Sequence, residues 1–230
     1  MTLRSGGVQA VLWDMDGTLV DTEPYWIASE FEIVERYGNG SWSHEHGLAL
    51  VGKDLRDSAA YISDVGAVPF AVDEIVNLMM DGVIARCAEA TPWRPGAREL
   101  LAELGELGVP CALVTMSWRR LTDAILPLLP ADSFADVVTG DDVERGKPFP
   151  DPYLVAAAHL GLEAHHCVAI EDSVLGARSA DAAGCCTVVV PHAVPVPPEL
   201  GHHRLTSLDG VCADDLSGLF SSCPMPHAGA

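Results

Sequence analysis

Apolar runs that stop abruptly at small polar or acidic clusters organise most of this chain. Residues 8–13 form the first run and end at Asp14-Met15-Asp16-Gly17. Residues 109–115 end at Thr115-Met116-Ser117, 134–139 at Gly140-Asp141-Asp142, 167–170 at Glu171-Asp172-Ser173, and 186–190 at Pro191. Continuous apolar runs of this length predict strands buried on both faces. Between them, residues 97–107, 153–160 and 175–183 carry helical spacing. Strands alternating with helices predict an α/β fold, a Rossmann-like parallel sheet with helices on both faces. Ligands of such sheets bind beyond the carboxyl ends of the strands, where the polar clusters fall.

Residues 21–90 break the alternation. They hold helix-like stretches at 26–37 and 73–88 and little strand signal, and residues 89–96 include Pro92 and Pro95. The pattern predicts an α/β core from residues 1–20 and 91–230 with a helical cap inserted at 21–90. Beyond Pro191 the chain is rich in Pro, Gly and His, with one strand expected near 204–208, a short helix near 213–220, and fraying from about residue 221.

Composition narrows the possibilities. The 230 residues carry a formal net charge of -20, which disfavours binding to nucleic acid or an anionic membrane. No run reaches the length of a membrane span, and residues 1–10 lack the apolar stretch of a secretory signal. The seven cysteines show neither CxxC pairs nor paired metal-ligand spacing, so a reduced, cytoplasmic setting is expected, with Cys111 and Cys167 as small core residues. His44, His46, His165, His166, His202 and His203 form no evident metal set and are expected to be exposed. So acidic a chain can hold an anionic substrate only beside a local cation, and its lysines are Lys53 and Lys147 alone.

The strand ends carry the candidate chemistry. In Asp14-Met15-Asp16-Gly17-Thr18 one carboxylate can attack phosphorus while the other shuttles a proton, and Gly17 lets the backbone approach an anion. The same residues also suit an ordinary Asx-rich turn. Glu171-Asp172 adds a second acidic pair, able to ligate Mg²⁺ through oxygen or simply to face the dipole of the following helix. Lys147, in Gly146-Lys147-Pro148-Phe149-Pro150-Asp151-Pro152, sits in a stiff loop that can aim an ammonium at phosphate. Thr115 and Ser117 offer hydroxyls at the end of the second run.

The ordered set of DxDGT, a strand-end Thr, GKPxPDP and IEDS resembles the haloacid dehalogenase superfamily. The subgroup it resembles is that of sugar-phosphate phosphatases and β-phosphoglucomutase-like enzymes with a helical cap. The resemblance runs from about residue 8 to 190. It implies that Asp14 becomes an aspartyl phosphate, that Asp16 protonates the leaving group, then activates water and lends its carbonyl to Mg²⁺, and that Thr115 and Lys147 hold the phosphoryl group. Asp172 would ligate the metal, with Glu171 beside it acting through water, and the Lys147–Pro148 bond would be cis. Gly17, Ser117, Lys53 and Trp26 would touch substrate, although Lys53 reads equally as a surface lysine and Trp26 as a cap-core aromatic.

Asp16 argues against the dehalogenase and phosphonate-hydrolase branches of the superfamily. The expected activity is Mg²⁺-dependent hydrolysis of a small phosphate ester, a sugar phosphate above all, by a monomer or weak homodimer. The alternatives are a phosphosugar mutase, whose usual cap His is replaced here by Trp26, and a non-catalytic phosphometabolite-binding module.

Overall fold

The computed structural model describes residues 8–50 and 53–224. Six parallel strands form its sheet: β1 Ala10–Trp13, β2 Cys111–Val114, β3 Asp136–Val138, β4 Cys167–Glu171, β5 Cys186–Val189 and β6 His203–Arg204. Their spatial order is β3-β2-β1-β4-β5-β6. The chain builds outward from β1 to β3, then returns to β1's other side and builds outward to β6. The order therefore reverses around β1, and the β1/β4 seam is the switch point where such sheets form a crevice. Registers of Trp13 with both Leu113 and Ile170 bring the ends of β2, β1 and β4 level.

The first five strands fall within or close to the predicted runs; β1, β2, β4 and β5 are buried along their length, while β3, at one edge of the sheet, is buried only at Val138. Alternate residues Ala10, Leu12, Ala112, Val114, Cys167 and Ala169 pack beneath Tyr153, Ala156 and Ala157 of helix α7 (Asp151–His159) and Ala180 of α8 (Val174–Ala183). The last strand is only two residues long and shares Arg204 alone with the predicted 204–208. It is an edge strand, paired to β5 alone and only partly buried, so no apolar run marks it. Two further helices belong to this α/β unit around the sheet, α5 (Ala97–Glu106) and α9 (Ala213–Ser222), and a short one, α6 (Arg119–Ile125), follows β2. Because α9 runs to Ser222, the expected fraying does not begin at 221. Residues 225–230 lie outside the described residues, as do residues 1–7, on which the signal reading partly rested.

The α/β unit comprises Met1–Asp21 and Trp93–Ala230, and a second compact unit comprises Thr22–Pro92. The chain leaves the first unit just past Val20 and re-enters at Trp93. These two residues face each other in an antiparallel bridge, and the Arg94 N–H donates to the Leu19 carbonyl at 3.0 Å. The second unit is helical, with α1 (Glu23–Tyr37), α2 (His44–Leu48), α3 (Leu55–Val65) and α4 (Val72–Glu89). Proline near its start lets α1 begin at Glu23, three residues before the predicted stretch. Asp54 caps α3 through the Arg56 N–H at 2.8 Å. Gly82 of α4 leaves room for Ser29 of α1, where a Cβ would overlap the Ser29 side chain. No helix among the described residues is long and apolar enough to cross a membrane.

Two readings of the sequence need correction. Cys186 and Cys223 form a disulfide across a separation of 37 residues, with Cα atoms 5.8 Å apart. Sequence spacing could not show this, because the pairing depends on α9 returning to β5. Likewise His46, His165, His166 and His203 are half-buried rather than exposed. Cys111 and Cys167 are free and buried, as small core residues should be.

Candidate active site

The site is built where β2, β1 and β4 end side by side. Asp14 continues the β1 ladder, its N–H donating to the Ile170 carbonyl at 3.1 Å, so its side chain leaves the sheet at a fixed point. Thr115 is anchored the same way beside β3, by donation to the Val138 carbonyl at 2.9 Å. Between Asp14 and the following turn stands Gly17 with φ +90°, a conformation that L side chains rarely adopt. A Cβ there would also overlap the Asp172 carboxylate, so glycine lets the turn of β1 approach the acid that follows β4.

Lys147 is the local cation that the acidic chain requires. It lies in the loop before α7, and its peptide bond to Pro148 is cis. Its ammonium donates to Asp14 Oδ1 at 2.7 Å, Glu171 Oε1 at 2.6 Å and the Val114 carbonyl at 2.9 Å. All three N–H donors are thus used, one at each of the three strand ends. Burial alone would depress the ammonium's pKa, but Asp14 and Glu171 outweigh it and hold it above its ordinary value.

Glu171, expected beside the metal, belongs to the acidic cluster with Asp14 and Asp172 and is also bound by several protein donors. It is wholly buried, and Oε1 accepts from Lys147 and from Tyr153 Oη at 2.7 Å. Oε2 accepts from the Asp172 N–H, the Ser173 N–H and Ser173 Oγ at 3.2, 3.4 and 3.1 Å. The carboxylate thus lies under the first turn of α8, where Gly176 supplies the space that any Cβ would fill. Both its oxygens are occupied by protein donors. Tyr153 escaped the sequence reading because an aromatic in an apolar helical stretch reads as core, which it also is.

Asp16 is held from the β2 side. Its Oδ2 accepts from Ser117 Oγ at 2.7 Å and from Thr115 Oγ1 at 3.4 Å, while the Ser117 N–H donates to Thr115 Oγ1 at 3.0 Å. On the β4 side, Thr18 Oγ1 reaches Asp172 Oδ1 at 3.5 Å. The structure therefore gathers Asp14, Asp16, Gly17, Thr115, Ser117, Lys147, Glu171 and Asp172 in one place. Trp26 and Lys53 belong to the helical unit. Trp26 is half-buried on α1, and the exposed Lys53 lies with Nζ 5.4 Å from the Tyr61 ring centroid. The preceding Val51 and Gly52 lie outside the described residues.

The donor set fits a hard divalent cation. Oxygens of Asp14, Glu171 and Asp172 lie within 4.8 Å of one another, and Asp14 Oδ2 is buried with no hydrogen-bond partner. An orphaned carboxylate oxygen in a buried acidic cluster is what a Mg²⁺ ligand looks like before the ion is added. Burial first, then the neighbouring Glu171, pushes Asp14 up to about 7. Burial and then Asp14 push Asp172 up to about 9. A bound cation reverses that direction and keeps both acids ionised at neutral pH.

The comparisons with known proteins agree with this geometry. Residues 11–190 match the haloacid dehalogenase-like hydrolase family, a span that contains every residue gathered at the strand ends. The chain belongs to the haloacid dehalogenase-like hydrolases. Among its relatives in that family is hexitol phosphatase A of Escherichia coli K12, 34% identical over 195 residues, covering 78% of this chain and 81% of the relative. Hexitol phosphatase B of the same strain is 30% identical over 225 residues, covering 92% and 97%. The crystal structure of CbbY from Rhodobacter sphaeroides in complex with phosphate superposes with a TM-score of 0.75 at 26% identity, covering 87% of this chain and 95% of that one. The haloacid dehalogenase-like hydrolases thus share the parallel-sheet fold described above.

Proposed function

We propose that the chain is a Mg²⁺-dependent phosphohydrolase that removes the phosphoryl group from a small phosphorylated metabolite, a sugar or sugar-alcohol phosphate, through an aspartyl phosphate on Asp14. The observation that carries this reading is the charge arrangement around Asp14. One of its oxygens is bound to the Lys147 ammonium, and the other is buried and unpartnered. A carboxylate so placed is fixed in direction and desolvated, as an in-line nucleophile needs to be. The names of the relatives, hexitol phosphatases above all, support the substrate class.

In this mechanism an oxygen of Asp14 forms a bond to phosphorus as the bond to the ester oxygen breaks. Asp16, held towards β2 by Ser117 and Thr115, gives its proton to the departing alkoxide. It then takes a proton from the water that attacks the aspartyl phosphate, which returns Asp14 as a carboxylate and releases phosphate. Lys147 supplies positive charge where the equatorial oxygens pass, and the Thr115 hydroxyl and nearby N–H groups donate to them. Mg²⁺ would be held by Asp14, Asp172 and the Asp16 carbonyl, and it supplies neutralisation of the transferring phosphoryl oxygens. Glu171 holds Lys147 in place, with Tyr153 fixing Glu171 in turn.

The test is phosphate release from a panel of hexitol and hexose phosphates, with and without Mg²⁺, by the native chain and Asp14→Asn. Metal-dependent release that the substitution abolishes is expected. Release that persists at the native rate in Asp14→Asn, or no metal-dependent release from any ester, would overturn the reading.

A further inference from the structure

We propose that Cys186, His203 and Cys223 form a second metal site when the two cysteines are reduced, selective for a borderline or soft divalent cation of the zinc type. Cys186 opens β5, His203 opens β6, and Cys223 directly follows α9. Side chains two apart on a strand share a face, and His203 is the register partner of Val188. Cys186 and His203 therefore project from one side of the sheet edge, where Cys223 meets them.

The spacing suits tetrahedral coordination. Cys223 Sγ lies 3.4 Å from His203 Nε2, and the three donor atoms lie within 4.8 Å of one another. The S···N edge of a tetrahedral zinc site is about 3.6 Å, from Zn–S near 2.3 Å and Zn–N near 2.0–2.1 Å. Ser222 Oγ also lies 3.4 Å from the same nitrogen, and the fourth position falls to water or to an external ligand. Two thiolates and an imidazole discriminate against Mg²⁺, which the carboxylates of the catalytic end would take. The two places are separate. Cys186 lies three residues before Val189, the register partner of Glu171, roughly 10 Å along the strand at its rise per residue.

In the structure the two sulfurs are joined as a disulfide. A thiol-class reductant gives up two electrons and two protons as it becomes a disulfide, or a phosphine gives up two electrons and takes oxygen from water, which supplies the two protons; either way two thiols result. The cation then displaces both thiol protons and forms two metal–sulfur bonds. The same three residues thus clip the end of α9 to the sheet edge in either state, by a sulfur–sulfur bond or through a shared ion.

The experiment titrates untagged full-length chain, reduced with a phosphine under anaerobic conditions, with Co²⁺ as a spectroscopic stand-in for Zn²⁺. Thiolate-to-cobalt charge-transfer bands saturating at one equivalent are expected, and Zn²⁺ should bleach them. Cys223→Ser and His203→Ala should weaken binding at least 100-fold, while Cys212→Ser, which alters the free thiol at the start of α9, leaves it unchanged. Asp14→Asn should retain the bands, since it alters only the catalytic end of the sheet. Circular dichroism checks that each variant is folded, and His203→Asn serves if His203→Ala is not. Absence of the bands in a chain whose thiols titrate as fully reduced would overturn the proposal. So would bands that survive Cys223→Ser, or a disulfide that cannot be reduced in the folded chain.

Discussion

Replacing Glu171 by Gln asks whether this acid holds a metal or holds Lys147. The change is nearly isosteric but leaves one acceptor oxygen where there were two. With that oxygen towards Lys147 and Tyr153, the amide NH₂ faces the N–H groups of Asp172 and Ser173. Turned round, the NH₂ faces the ammonium. Two donors lose an acceptor in the second orientation, and in the first two backbone N–H groups do while the Ser173 hydroxyl can turn to accept from the amide; hydrogen bonds to a charged group contribute about 1.5–3 kcal/mol each. Part of that loss is offset, because Glu171 also raises the pKa of Asp14 and Asp172 by repulsion. A net destabilisation of about 2–4 kcal/mol is expected, seen as a fall in Tm of roughly 4–16 °C for a chain of this size. With Lys147 loosened, kcat should fall about 10²–10³-fold, the loss found when one preorganised donor to a transition-state oxyanion is removed. The assay is phosphate release across a Mg²⁺ titration beside thermal melts. A kcat deficit that saturating Mg²⁺ does not repair fits a residue acting through Lys147. Full recovery of kcat at high Mg²⁺ would refute that reasoning and make Glu171 a metal ligand.

Three other substitutions test separate parts of the account. Gly17→Ala forces a Cβ into a positive-φ turn and against the Asp172 carboxylate, so half-saturating Mg²⁺ should rise at least tenfold; an unchanged Mg²⁺ profile would contradict the packing of that turn. Ser117→Ala removes the shorter of the two hydroxyl bonds to Asp16, and kcat should fall about tenfold, the equivalent of 1.4 kcal/mol, with KM little changed; steady-state kinetics with the preferred ester decide it. Glu30 is buried on α1 with Trp42 Nε1 at 3.4 Å, and burial pushes its carboxyl from 4.5 up to about 8. The folded chain therefore keeps a proton that the unfolded chain loses between those values, so stability falls as pH rises from about 4.5 to about 8 and stays low above. Glu30→Gln should remove that fall and stabilise the protein at pH 9 by roughly 2 kcal/mol or more, with little change near pH 4; melting temperatures that drop in parallel for both proteins would contradict it.

The strand ends could be read from the sequence because burial on both faces leaves an unbroken apolar run, and Asp14, Thr115 and Glu171 each mark where such a run stops. Lys147 could be read because lysine is so rare here. That Glu171 is also bound under α8 was not legible, since adjacent residues at a strand end diverge by backbone geometry that composition does not encode. Tyr153 was hidden by being both a core residue and a hydrogen-bond donor. The meeting of Cys186, His203 and Cys223 depends on a two-residue edge strand and the return of α9, neither of which leaves a periodic signal. In the helical unit, α3 went unassigned: its buried positions include Ser58 and Ala59, so its apolar stripe is faint in the sequence.

The antiparallel bridge between Val20 and Trp93 has a consequence for how such chains can diverge. Because the departing and returning segments are hydrogen-bonded to each other, the sheet experiences the 71 residues from Thr22 to Pro92 as one closed loop. Closure entropy grows only logarithmically, by about 0.6 kcal/mol for each doubling of a flexible loop's length. Duplication, shortening or wholesale exchange of that excursion therefore places little thermodynamic load on the sheet that carries Asp14. Inheritance can keep the phosphoryl chemistry constant while the intervening segment is rewritten at a rate of its own.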